Sequence, residues 1–311
     1  MSQHIFGAIV TALGTAANNR AENEGNITTL QKLIWNGRVH STVSAEAIRF
    51  ALRRHFLDAD LATNRTWNED ERTNKWTDHT FERWREFVDD DLLGYMSADA
   101  AKEEVDDSDK PEGAEGKKGK RKAGTATIRR AVLEVTRAVS LTPWAGDVTF
   151  NAASPGATPS AAKKGSNPVP YGTEVHATRY QYGFALTPGR LSEKARAATA
   201  LRALGSLGPV AGNHGRFLFD FSPESIVLRI ANEAAPRILY GFDLEPDGTV
   251  SIAAIIAKVE AGDISATELV IGGAVVARLN ATARNTLSGA VLCAGIKQAV
   301  EAACKNAGVE K

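Results

Sequence analysis

Sulfur is scarce in this chain of 311 residues, which has two cysteines and two methionines. Cys293 and Cys304 fall in one closing stretch that reads as a helix over residues 283–305. Eleven residues apart on one helix, they could not easily meet. A disulfide framework is excluded, and a reducing cytoplasm is the expected compartment. No apolar run approaches the roughly 18 residues of a membrane span. No charged start followed by an apolar run marks a secretory signal. A soluble, cytoplasmic protein with no membrane partner is expected. Net charge is lacking too, because 37 Lys and Arg balance 37 Asp and Glu. Nucleic-acid binders are often basic overall, so a phosphate-binding surface here must come from local segregation of charge. The chain has no G-x-S-x-G, H-E-x-x-H, P-loop or full G-x-G-x-x-G signature. Its six histidines, His4, His40, His55, His79, His176 and His214, show no metal-ligand pairing. His40 near Ser41 and Ser44 could form a general-base pair, but a hydrogen-bonded loop histidine is the plainer reading. No enzyme, metal or cofactor is expected.

What is present is a polar loop feeding a basic amphipathic helix, residues 18–56. Ser44 can cap the free N–H groups of that helix, and Glu46 suits the positive end of its dipole. Ala45, Ile48, Leu52 and Phe56 make one stripe for burial. Arg49 and Arg53, four apart, border that stripe and would line a groove. The loop ahead supplies Asn18, Asn19, Arg20, Asn26, Lys32, Arg38 and His40, which are donors suited to phosphate and ribose oxygens.

The rest of the chain reads as strands mixed with helices, an α+β arrangement. Residues 4–13 are apolar on both faces of a strand, hence central in a sheet. Residues 58–94, rich in Trp, Arg, Asp and Glu, read as an insertion, with a helix over 78–88 and a solvated acidic run at Asp89, Asp90 and Asp91. Residues 99–115 hold eight acidic and two basic side chains, and 117–130 hold seven basic and no acidic ones. The span 97–125 should be mobile. Its KKGKRK run at 117–122 reads as a solvated linker, whereas Arg129 and Arg130 read as an RNA tether. A strand over 132–141 and alternation over 172–186 flank a floppy tip carrying Lys163 and Lys164, which suggests a projecting β-hairpin. Helices are expected over 190–204 and 249–261, and strands over 215–221, 225–230 and 268–271. Gly272 and Gly273 would let a backbone approach closely, beside Arg278.

Three pieces carry a family resemblance. They are N-R, G-N-x-T-x-x-x-K and H-S-x-V-S-x-E-A-I-R-x-A-L-R within residues 18–56, F-x-L-T-P-G-R-L at 184–191, and F-S-P-E-S-I-V-x-R at 221–229. Together they resemble the DevR branch of the CRISPR-associated backbone subunits of type I Cascade-like complexes, of the I-B kind. The resemblance implies an RNA-recognition-like, ferredoxin-like βαββαβ core with an inserted finger subdomain and a β-hairpin thumb. The implied division is 1–57 for the first part of the core, 58–125 for the finger, 126–143 for a core strand, 144–187 for the thumb and 188–311 for the rest of the core. It implies copies polymerising along a guide RNA used in antiviral defence, with other Cascade subunits and, through the guide, target DNA as partners. The guide is held by phosphate and ribose, so no base code is needed. Beyond the loop and helix donors above, Ser44, Arg129, Arg130, Lys163, Lys164, His176, Arg216, Gly272, Gly273 and Arg278 are the residues expected at the RNA. Two alternatives stand beside this reading. One is a metal-dependent ribonuclease using Glu22 or Glu24, where type III relatives carry a loop aspartate. The other is a transcriptional autoregulator, for which no helix-turn-helix signature is present.

Overall fold

A computed structural model describes residues 2–17, 23–68, 70–71, 73–98, 126–155, 169–211 and 218–310. Asn18, Asn19, Arg20, Glu22, Lys163, Lys164, Arg216 and the basic run at 117–122 lie outside the described residues.

The chain opens with β1 (His4–Thr11) and β2 (Gly14–Ala16), then β3 (Asn23–Glu24) and β4 (Ile27–Thr28). A hairpin follows, made of β5 (Lys32–Trp35) and β6 (Arg38–Val43). Asn36 and Gly37 turn it with φ of 48° and 75°, the left-handed pair that a tight hairpin needs. Helix α1 (Ala45–Asp58) starts where the Ser44 hydroxyl accepts the Ala47 N–H at 3.2 Å, with Glu46 in its first turn. Ile48, Ala51, Leu52 and Phe56 are its buried stripe. The ribbon β7 (Arg65–Asn68) and β8 (Thr73–Trp76) comes next, then α2 (Val88–Leu93) and a second ribbon of β9 (Tyr95–Ala98) and β10 (Ala126–Arg129).

The chain returns to the core as β11 (Leu133–Val135) and β12 (Ala138–Ser140). It then projects as the antiparallel pair β13 (Val148–Ala153) and β14 (Val169–Glu174). It returns once more through β15 (His176–Thr178) and β16 (Tyr180–Leu186). After α3 (Arg196–Leu204) come β17 (Pro223–Ala231), the small pair β18 (Asp243–Leu244) and β19 (Val250–Ser251), and α4 (Ala253–Glu260). The last elements are β20 (Leu269–Gly273), α5 (Ala274–Arg278), α6 (Ala281–Thr286), β21 (Val291–Cys293) and α7 (Ile296–Asn306).

Among the described residues the largest sheet has nine strands, in the order β21-β20-β17-β1-β16-β12-β6-β5, with β11 also on β16. β1 lies between β16 and β17 and is antiparallel to both. Its side chains alternate between two cores. Ile5 and Ile9 join α1, α3 and α7 on one face, and Phe6, Ala8 and Val10 join α4 and α5 on the other. That is why residues 5–10 carry no polar side chain. β17 carries Arg229, 2% exposed, whose guanidinium is matched by Glu233 and Glu268 at 2.8 Å each and by the Ala235 carbonyl. Among the described residues no helix is long and apolar enough to cross a membrane.

Several expected elements differ, each for a local reason. Residues 78–88 form turns rather than a helix. The Asp78 carboxylate accepts the Thr80 and Arg83 N–H groups, and Phe81, at φ 58°, stacks on Tyr95 at 4.1 Å. The helix expected from 190 begins at 196, because the Ser192 N–H is taken by Asp91 rather than by a helical turn. The stretch 172–186 is cut into β14, β15 and β16, and 132–141 is cut at Thr136, whose N–H bonds the Gly183 carbonyl. The closing helix is α6, β21 and α7, so Cys293 sits on a strand and only Cys304 on the last helix. Residues 218–221 form no strand. Leu218, at φ 49°, is exposed, yet Phe219 and Phe221 still pack on Tyr180 and Tyr182. The acidic run 89–91 is not solvated at all, since all three aspartates are buried.

One buried hydroxyl in this core, that of Tyr182, has no hydrogen-bond partner. Leaving such a group unmatched costs about 1–3 kcal/mol. Tyr182→Phe is therefore expected to raise unfolding free energy by about 1 kcal/mol in a urea titration. A loss of stability would show that the hydroxyl has a partner.

Candidate nucleic-acid interface

The side chains of the insertion and of α1 meet at the three aspartates of α2. Asp89 accepts the backbone N–H of Asn64 at 2.8 Å and of Arg65 at 3.2 Å, and Arg53 Nε lies 3.7 Å away. Asp90 accepts the Asn64 side-chain amide at 2.8 Å. Asp91 accepts Arg129, Arg196 at 2.8 Å, and both the N–H and the hydroxyl of Ser192. Asp90, which has no cation in hydrogen-bond contact, is pushed up to about 6 by burial and then by the neighbouring charge of Asp89. Arg53 is lowered to about 10, first by burial and then by the positive charge of Arg65.

This knot changes where the expected RNA contacts stand. Arg49 and Arg53 flank the buried stripe as expected, but they point inward: Arg49 donates to the Leu93 carbonyl and Arg53 faces Asp89. Arg129 lies against Asp91, 3.7 Å above the Trp84 ring. Lys32 bridges to Glu174 at 2.6 Å and lies 4.0 Å over Trp144. Ser44 is spent as the helix cap.

The two histidines are interior. His40, 6% exposed, donates through Nδ1 to the Ser140 carbonyl at 2.7 Å. His176, 4% exposed, meets the Ser41 hydroxyl at 2.7 Å and the Thr142 hydroxyl at 3.2 Å. The general-base arrangement imagined for His40 thus forms instead between Ser41 and His176. Ser41 is fully buried and also bonded to Tyr180, so no substrate reaches it. Burial lowers the His176 pKa, keeping the ring neutral. Both rings stitch the loop's root to the core.

Gly272 and Gly273 do allow a close approach, but to the chain itself. A Cβ at Gly272 would stand 2.4 Å from that of Ala299, and one at Gly273, which has φ of 91°, would stand 2.2 Å from the Glu224 carbonyl. Asn26, Arg38, Arg130 and Arg278 are exposed. Arg278 follows β20, and Arg38 starts β6, five strands away. At about 4.8 Å per strand that is about 24 Å, so these cations do not share one short trench.

Some surface features escaped the sequence reading. Phe150 on β13 is 79% exposed, with Val148 beside it on the same face of the projecting hairpin. The alternation of Val-Thr-Phe-Asn was the available signal. Arg65 and Trp67 on β7 face α1 across a cleft. Among the described residues no group of three or more His, Cys, Asp or Glu is placed to hold a metal ion.

Fold and surface together define a class first: a mixed α/β protein built on one large, doubly covered sheet, with projecting ribbons that carry the exposed aromatic and cationic side chains. Solved structures share that fold. A chain of a CRISPR RNA-guided surveillance complex aligns with a TM-score of 0.54 at 14% identity, covering 96% of this chain and 99% of that one. A chain of the pre-nicking form of a CRISPR RNA-guided surveillance complex gives 0.55 at 12% identity, covering 96% and 100%. The family described as CRISPR-associated negative auto-regulator DevR/Csa2 matches residues 8–204. The CRISPR-associated protein Cas7/Cst2/DevR of Myxococcus xanthus (strain DK1622) is 60% identical over 320 residues, covering 100% of both chains. The chain belongs to the DevR/Csa2 family of CRISPR-associated proteins.

The knot makes two opposite expectations. Asp91→Ala strands Arg129 and Arg196 and should cost about 3–5 kcal/mol, read as a large fall in melting temperature. Asp90 titrates higher folded than the usual unfolded value of about 3.9. Its stabilising contribution is thus full below about pH 4 and lost as pH rises through about 6. Asp90→Asn escapes that loss, so its melting temperature should gain on wild type between pH 5 and pH 7.5. A gap that shrinks over this range would contradict the assignment.

Proposed function

We propose that this protein is a backbone subunit of a type I CRISPR effector complex, several copies of which hold one guide RNA independently of its sequence for pairing with target DNA. The observation that carries the reading is the match over the full length of both chains to a Cas7/Cst2/DevR protein at 60% identity. We also infer an RNA-recognition-like core. The segments β1, α1, β11 with β12, β16, α3 and β17 follow the βαββαβ order. Their spatial order, β17-β1-β16-β12, is the fourth-first-third-second arrangement of a ferredoxin-like sheet. On this reading the insertion that contains β7 to β10 is the finger, and the β13–β14 hairpin is the thumb that reaches over the neighbouring copy with Phe150 and Val148.

The physics of such a role asks for holding rather than chemistry. Phosphate contacts release counterions and give affinity without reading bases, and Watson–Crick pairing of the guide supplies sequence. No nucleophile or metal is required, and we take the subunit to be non-catalytic. Exposed Arg38 and Arg130 are the described cations best placed for phosphate, because no carboxylate among the described residues holds them. The other side chains around α2 act by fixing the groove's walls.

Purification from its own operon tests the reading: RNA of one uniform length should accompany the protein, and its absence would refute it. The double variant Arg38→Ala with Arg130→Ala touches no buried contact and should fold as wild type. It should weaken retention equally for all guide sequences and lower the salt slope of RNA release by about 1.4, at about 0.7 per single-strand phosphate contact. Unchanged slope and retention would remove these two residues from the interface.

A further inference from the structure

The cleft between α1 and the β7–β8 ribbon gathers positive charge beside aromatic rings. Its volume is about 160 Å³, and Phe50, Arg53, Arg54, Arg65, Trp67 and Asn74 line it. Phe50 and Trp67 meet edge to face with centroids 6.0 Å apart, and Phe50 is 39% exposed. Arg65 is laid along the Trp76 ring at 4.2 Å, and its backbone N–H is tied to Asp89. The Nε atoms of Arg53 and Arg65 are buried without an acceptor.

Charge is crowded here even though Asp89 and Asp90 lie beneath. Arg53 feels both Arg65 and Arg49 as repulsive neighbours, and Arg65 is lowered by burial and by Arg49. Arg54 joins Arg53 and Arg65 in the wall of the cleft, with Asp58 beside them. An anion entering the cleft relieves that repulsion. The edge-to-face pair adds a ring face on which any base can stack, and guanidinium groups beside such rings strengthen the stack.

We propose that this cleft is a subsite for single-stranded nucleic acid, in which a base stacks on one ring of the perpendicular Phe50–Trp67 pair and meets the edge of the other, and Arg54 and Arg65 hold the adjoining phosphodiester. The proposal rests on the strand-holding reading above and adds to it a place between α1 and the insertion, formed by Phe50, Arg54, Arg65, Trp67 and Asn74. Because a phosphodiester and a base face are common to guide RNA and to a DNA strand, the two sources are separated by experiment.

The test uses the full chain and a fluorescently labelled single-stranded oligonucleotide of mixed sequence, RNA in one arm and DNA in the other, followed by anisotropy across a salt series. Asn74 is exposed on β8, so Asn74→Glu puts a carboxylate at the mouth without disturbing the core. Trp67→Leu removes the stacking face but no charge. Each is expected to weaken binding five- to tenfold, and Trp67→Leu to leave the salt slope unchanged, as loss of stacking rather than of phosphate contact requires. A melting curve like that of wild type establishes that Asn74→Glu acts locally. Loss in the RNA arm assigns the guide to the cleft, loss in the DNA arm the target strand, and loss in both assigns the shared backbone chemistry. Wild-type affinity of both variants in both arms overturns the subsite and leaves the backbone-subunit reading standing. No binding by wild type in either arm overturns both.

Discussion

Three consecutive buried carboxylates hold the insertion to the core, and the rest of the molecule is arranged around them. Taking Asp89, Asp90 and Asp91 out of water is costly unless each finds donors. The donors come from four directions: Arg53 on α1, Asn64 and Arg65 at the start of β7, Arg129 on β10, and Ser192 with Arg196 at the start of α3. These pieces are far apart in sequence, and α1, α2 and α3 meet in one apolar core through Ile48, Leu92 and Leu201. The directionality of hydrogen bonds to carboxylates fixes their mutual position beside it. Asp90 is the exception in the set, bonded to an amide rather than a cation, and its raised affinity for protons comes from burial and then from the charge of Asp89.

The same constraint decides where function can sit. β1 is packed on both faces by helices, so the centre of the large sheet offers no open platform. What faces outward is carried by projections: the β5–β6 hairpin with Arg38, the β9–β10 ribbon leading to Arg130, and the β13–β14 hairpin with Phe150. A scaffold that fixes its loops rigidly and displays binding groups on them is a common solution. Here the root of the first loop is fixed by a buried polar chain of Ser41, His176, Thr142, Thr178 and Tyr180. Lys32 and Glu174 close it above. Satisfied networks of this kind hold one geometry.

Much of the frame was legible in the chain itself. An unbroken apolar run identified β1 as central, and a serine cap with a four-residue apolar spacing identified α1 almost to the residue. The acidic run of α2 was not legible, because residue type says only that a carboxylate prefers water, not that Arg129 and Arg196 will arrive from 38 and 105 residues away. The surroundings of the candidate site were illegible for the same reason. Arg49, Arg53, Arg129 and Lys32 are the right chemistry for phosphate, but each is already engaged by an internal acceptor that lies well away in sequence. His40 and His176 looked like loop donors because their burial comes from tertiary packing. Helix ends were misjudged where a side chain competed for backbone N–H groups, as Asp78 does before Phe81 and Asp91 does at Ser192.

The position of β1 sets an order of events during synthesis. It is made before both of its neighbours in the sheet, β16 and β17, which come after residue 179. A ribosome working at roughly 5–20 residues per second needs about ten to forty seconds to reach the end of β17. For that interval an apolar strand waits with two unpaired edges, the situation most open to mispairing with another nascent chain. Chains made side by side on one message would meet in that state, so this strand is the place where mispairing would compete with folding.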